Sequence, residues 1–161
     1  MNLELIKSRL QTENSFFSED AILHQPTVIG YDKQFRWSWF ATQMNTFIVA
    51  TDVKEETITV QTIEAHLKEA FEYSSKNYSG WPRGLQSGVG VISILISENI
   101  TEEAKVYCKK LKSGKKWAAF TIPVVIDATT KEAFYFDKNP MWGRIYYPFF
   151  KRMIQKLTSS A

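Results

Sequence analysis

The chain has five arginines among its 20 basic residues. Three of them stand within two positions of a tryptophan: Arg36 beside Trp37, Arg83 after Trp81 and Arg144 after Trp142. A guanidinium is a planar fork that grips carboxylate or phosphate, and its face stacks on aromatic rings. Brought together, Arg36, Trp37, Trp81, Arg83, Trp142 and Arg144 would line a site for a small anionic ligand carrying a flat group. Packing alone also produces such pairs, at about one cation–π contact per 70–80 residues.

Carboxylates suggest a second chemistry. Asp52 follows FIVAT, Glu98 follows ISILIS and Asp127 follows PVVI. If those segments are parallel strands, all three emerge at one sheet edge, where open α/β sheets place their ligands. Such a trio suits a hard cation such as Mg²⁺ in a metal-dependent enzyme. Acidic residues at strand ends are equally the ordinary currency of turns. The metal nuclease pattern of a hairpin Asp followed by Glu-x-Lys is absent, because the strand after Asp127 reads KEAFYF. No metal site is assigned, and the sequence names no cofactor.

Six lysines between Lys105 and Lys116, with no acid among them, offer a third reading as a nucleic-acid or protein contact. A net charge of only +3 argues against nucleic acid as the favoured partner. His24 and His66 lack metal-ligand spacing, and Cys108 falls on the apolar stripe of a helix, as an inert core thiol does. The glycines of GLQSGVG do not make a phosphate loop, since Gly84, Gly88 and Gly90 run into a strand instead of out of one. Gly88 and Gly90 instead mark a close crossing over the sheet. NPMWGRIYYPFF gathers aromatics that belong mostly to the core, with any remainder available for homo-oligomer contacts.

The elements that must position these groups follow from periodicity. Leu3, Ile6 and Leu10 predict a first helix capped by Asn2. A short strand is expected at 27–31. Alternation over Phe35–Ala41, then TFIVATDV, predicts a hairpin turning at 43–45. Thr59 caps a helix running to Asn77, and Thr101 caps another closed by Gly114. Val89–Ile96 is apolar on both faces, the mark of a sheet covered on both sides. Trp117–Asp127 is a further strand, whose Pro123 demands an edge or a bulge. A hairpin partner follows at 132–136, and Pro148 opens a last helix.

The expected fold is a single α/β domain over 1–161, with a mixed sheet of five or six strands and helices on both faces; the alternative is α+β. A 161-residue chain that is 44% apolar sustains such a core. A lone cysteine excludes internal disulfides and multi-cysteine zinc sites. A charged, amphipathic N-terminus is not a signal peptide, and the longest apolar run is short of the roughly 20 residues that span a bilayer. The expectation is a cytoplasmic ligand-binding domain without a membrane partner. Whether it is an enzyme stays open.

Overall fold

The computed structural model describes residues 1–84, 86–111, 119–141 and 143–159. Its elements are α1 (Leu3–Thr12), β1 (Phe16–Ile22), β2 (Gln25–Arg36), a 3-10 turn (Trp37–Trp39), β3 (Thr42–Asp52), α2 (Val60–Asn77), β4 (Ser87–Ser97), α3 (Glu102–Lys110), β5 (Ala119–Asp127), β6 (Ala133–Phe134) and α4 (Tyr147–Thr158). They build an α/β domain around one six-stranded mixed sheet in the order β1-β2-β3-β4-β5-β6. β1, β2 and β3 form an antiparallel meander; β3, β4 and β5 are parallel, joined through α2 and α3; β6 returns antiparallel.

Helices cover both faces. On one side, α1 and α4 bury Ile6, Leu10, Phe150 and Ile154 against Ile92, Ile94 and Ile96 of β4. On the other, α2 and α3 bury Ile63, Ala70, Ala104 and Cys108 against Val89, Val91 and Leu95. The two-faced apolar pattern of β4 is thereby accounted for, and every residue of that strand is buried. Gly90 is where Phe150 crosses: a Cβ there would lie 2.7 Å from the ring. Asn2, Thr59 and Thr101 cap their helices as expected, each side chain accepting from a backbone N–H of the first turn. Among the described residues, Pro123 stands where β5 has no paired strand on its outer side, since β6 reaches only Val125 and Ile126.

The first sheet half differs from expectation. β2 runs from Gln25 through Arg36, so the anticipated strand at 27–31 is part of a 12-residue one. The chain turns at Trp37–Ala41, not at 43–45, and Trp39 is buried as the anchor of that turn. Alternating aromatics mimic a strand there, but Phe40 and Ala41 take left-handed backbone at φ 53° and 55°. β1 is an edge strand with mostly exposed residues, so it lacks an apolar alternation. Its two-residue turn uses Leu23 and His24 at φ 51° and 64°, without the Gly or Asn that marks such turns. The segment 132–136 contributes only the two residues of β6.

Candidate functional site

Parallel β3, β4 and β5 give the sheet two chemically distinct ends. Their N-terminal ends lie with the β2–β3 tip, the loop entering β4 and the loop entering α4. Apart from Asp137, near the start of the loop into α4, those loops come from three stretches without an acid: between Asp32 and Asp52, between Glu72 and Glu98, and after Asp137. The same stretches contribute Lys33, Arg36, Lys76, Arg83, Lys138 and Arg144. Exposed apolar groups gather here too. Of ten exposed large apolar side chains among the described residues, six belong to this end: Phe35, Trp37, Phe40, Trp81, Met141 and Ile145. Trp37 and Phe40 are each 81% exposed and Met141 94%.

The three arginines share this end but not one pocket. The Arg36 guanidinium lies 4.7 Å from the Trp39 ring and 5.4 Å from that of Phe149, and it donates through Nε and Nη2 to Gln34 Oε1 at 3.2 and 2.8 Å. Its aromatic partners are therefore not its neighbour Trp37, which instead meets Phe35 edge-on. Trp81 also meets Phe35, so these three rings form an exposed ledge on the α2 side. Arg83 lies over Phe71 of α2 at 5.8 Å. Arg144 is exposed and lines a cleft on the α4 side. Trp142 lies outside the described residues.

That cleft has a volume of about 600 Å³, within the usual range for small-molecule sites. Buried Met44 and Phe120 form its floor, Phe40 and Met141 its mouth, and Gly88 keeps β4 free of a side chain there. Tyr146 stands beside Phe120 at 5.1 Å and donates to Thr42 Oγ1. Gly143, at φ 71°, brings the loop so close that a Cβ would fall 2.4 Å from the Phe120 ring. The arrangement presents flat apolar walls, several hydroxyl and amide groups and one cation. It can enclose a planar body and pair an anion.

A smaller cleft of about 230 Å³ opens between α1, β2 and α4. Asp32, Gln34 and Arg36 enter it from β2, with Arg152 and Lys156 from α4. Burial raises the Asp32 carboxyl above its ordinary range, with Gln34 and Arg36 opposing, and its Oδ2 is buried without a hydrogen-bond partner.

The other sheet end does bring Asp52, Glu98 and Asp127 to one edge, as parallel strands require. Asp52 and Glu98 line a common cleft. Two of the three carboxylates are occupied by the backbone. Asp52 Oδ1 accepts from Lys54 N at 2.9 Å, and Asp127 Oδ1 accepts from Thr129 N and Thr130 N at 2.8 and 2.9 Å. The Thr130 amide leads the interactions that lower the Asp127 pKa. Among the described residues no three His, Cys, Asp or Glu side chains are grouped to hold a metal.

The lysine helix is also partly committed. Lys105 pairs with Glu102 at 2.6 Å, and Lys105 and Lys109 lie over Phe134 at 5.1 and 5.3 Å. Lys112, Lys115 and Lys116 lie outside the described residues. Cys108 is buried, and burial pushes its thiol up to about 12. Of the late aromatics, Tyr147, Phe149 and Phe150 are core; the exposed apolar residues of that segment are Met141 and Ile145.

His66 is a feature that sequence spacing missed. It is buried between α2 and the sheet, with Nδ1 2.7 Å from Ser93 Oγ and Nε2 2.7 Å from Thr51 Oγ1. Thr51 continues to Thr27 at 2.8 Å, and Thr27 donates to the Gln25 carbonyl. Because that last acceptor has no proton to give, the whole chain of donors is fixed. Thr51 donates to Thr27, His66 Nε2–H donates to Thr51, and Ser93 donates to His66 Nδ1. The imidazole is neutral, and burial pushes its pKa down to about 4. The signal was present: polar Thr51 and Ser93 interrupt apolar strands, and His66 sits on the stripe of Ile63, Ala70 and Ser74. Ser93 is 1% exposed, so this triad is structural and not nucleophilic.

Among the described residues no helix is long and apolar enough to cross a membrane. No family model, no curated protein and no solved structure matches the chain.

Proposed function

We propose that the chain is a binding module for a small anionic ligand with a flat apolar body, held in the cleft between the β2–β3 tip, β4 and the loop into α4. The observation that carries this reading is the cleft itself, apolar in floor and mouth, with Arg144 and no acid among its lining residues. The ring planes of Phe120, Tyr146 and Phe40 suit stacking on the ligand. Arg144 supplies a charge-assisted, two-point contact to its anion. No acid lines the cleft, which makes it selective by charge as well as shape. Arg83 and Arg36 contribute to the field at this end without lining the cleft.

The probe is 8-anilinonaphthalene-1-sulfonate, which is flat, apolar and singly anionic, followed by its fluorescence. Saturable binding is expected, about tenfold weaker in Arg144→Gln. Neutral N-phenyl-1-naphthylamine should bind wild type and variant alike. Equal sulfonate affinity in both proteins overturns the reading.

A further inference from the structure

We propose that two copies of this chain pair through the open edge of β2, residues Asp32–Arg36, antiparallel about a two-fold axis at Gln34, so that Asp32 of each copy meets Arg36 of the other.

The edge is open because β1 is shorter than β2. β1 ends its pairing at Phe16 opposite Gly30, and the last bond on that side is Tyr31 N donating to Ser15 O at 2.8 Å. From Asp32 to Arg36, β2 is bonded to β3 alone. Hydrogen-bonding direction alternates along a strand. With Tyr31 N–H directed away from β3, the N–H and C=O groups of Lys33 and Phe35 are directed away too, and among the described residues they have no hydrogen-bond partner. Lys33 is exposed and Phe35 42% exposed. An uncovered run of this kind is a template for another strand, and five residues is an ordinary strand length.

The sequence of the edge, DKQFR, selects its own partner. A two-fold at Gln34 sets Lys33 against Phe35 of the second copy, twice over. Each such pair exchanges both backbone bonds. Asp32 then stands against Arg36 and Gln34 against Gln34, all on the α1/α4 face, in the close non-hydrogen-bonded positions where opposite charges stabilise. Lys33 has the Phe35 ring of the second copy across from it, so the edge lysine is accommodated and does not block pairing. Shifting the axis by one residue pairs Tyr31, whose N–H is already taken, or Trp37, where the strand has given way to the 3-10 turn. Half-residue shifts set bonded positions against non-bonded ones.

One open contact fits this arrangement. Arg36 spends Nε and Nη2 on Gln34 and is steadied by Trp39 and Phe149, which leaves Nη1 for the second carboxylate. This pairing is independent of the ligand cleft, which involves neither Asp32 nor Arg36.

Sedimentation velocity decides the matter, run on the full chain from about 10 to 200 μM, the range suited to a modest interface. Wild type is expected to sediment as a monomer–dimer mixture shifting to dimer with concentration. Asp32→Arg and Arg36→Asp are each expected to be monomeric, because each then sets like charges across both junctions. Mixed in equal amounts they should form a heterodimer, since every junction again faces Arg with Asp. Phe35→Pro removes one outward N–H without touching the β2–β3 ladder and should also give a folded monomer by circular dichroism. If Arg36→Asp does not fold, Phe35→Pro decides alone: a folded monomer supports the pairing and a folded dimer overturns it. A wild type that stays monomeric throughout, or charge variants that stay dimeric alone or monomeric when mixed, overturns it as well.

Discussion

The two ends of the parallel strands carry opposite kinds of side chain, and they use them differently. At the C-terminal end, Asp52 and Asp127 point their oxygens at backbone N–H groups of their own turns. Their chemistry is consumed in shaping the chain. At the N-terminal end, Phe40, Met141 and Arg144 are exposed around a cleft, and Trp37 is exposed on the ledge across the sheet from it. Exposing that much apolar surface brings no folding benefit, and large exposed apolar patches mark binding sites. The contrast separates structural polar groups from groups held ready for a partner. Holding them also involves backbone strain: Phe40, bulky and non-glycine, sits at φ 53°, while Trp39 and Arg36 pin the tip from beneath.

If the contrast is real, perturbing the structural half should cost stability, and perturbing the exposed half should cost only binding. The largest effect is expected from acid. The folded-state pKa of His66 lies near 4, below the ordinary 6.5, so the unfolded chain takes up the proton first. Its contribution is intact above pH 6.5 and is lost progressively as pH falls towards 4, amounting to about 3 kcal/mol. Denaturant unfolding at pH 7 and pH 4 measures this; in His66→Leu the difference should shrink by about that amount.

Gly143→Ala comes next and touches both halves. It places a Cβ at φ 71° and 2.4 Å from the Phe120 ring, so a loss of about 1–3 kcal/mol is expected together with weakened sulfonate binding. Asp127→Ala should cost about 1 kcal/mol by releasing two turn amides, with binding unchanged. Trp37→Ala and Arg144→Gln should leave stability within about 0.5 kcal/mol, both side chains being exposed. A large stability loss in Arg144→Gln would place it among the structural groups and erase the contrast.

The parts of the molecule that sequence foretold are those with a local cause. Caps at Asn2, Thr59 and Thr101, the two-faced strand Val89–Ile96 and the close pass over Gly90 each follow from residue type and period. The helices on both faces follow in turn. β1 was illegible because an edge strand has no buried face to alternate against. The turn at Trp37–Ala41 was illegible because its cause is tertiary: Trp39 meets Phe149 edge-on and Arg36 lies over the same ring, more than a hundred residues away. For the site, proximity to tryptophan drew attention to the arginines, but the rings that Arg36 and Arg83 meet are Trp39, Phe149 and Phe71. The convergence of three distant stretches on one acid-free cleft needed the sheet order before it meant anything.

The methionines offer the most direct measurement. Met44 and Met141 line the apolar cleft, Met1 lines the cleft at the acidic end, and Met153 lines the one beside Asp32. With methyl-¹³C methionine, titration with the anilinonaphthalene sulfonate reports all three clefts in one spectrum. The account predicts that the Met44 and Met141 methyl resonances move together to saturation while Met1 and Met153 stay still, and that Arg144→Gln needs about tenfold more sulfonate for the same movement. Shifts led by Met1 or Met153, or equal shifts of all four, would contradict it.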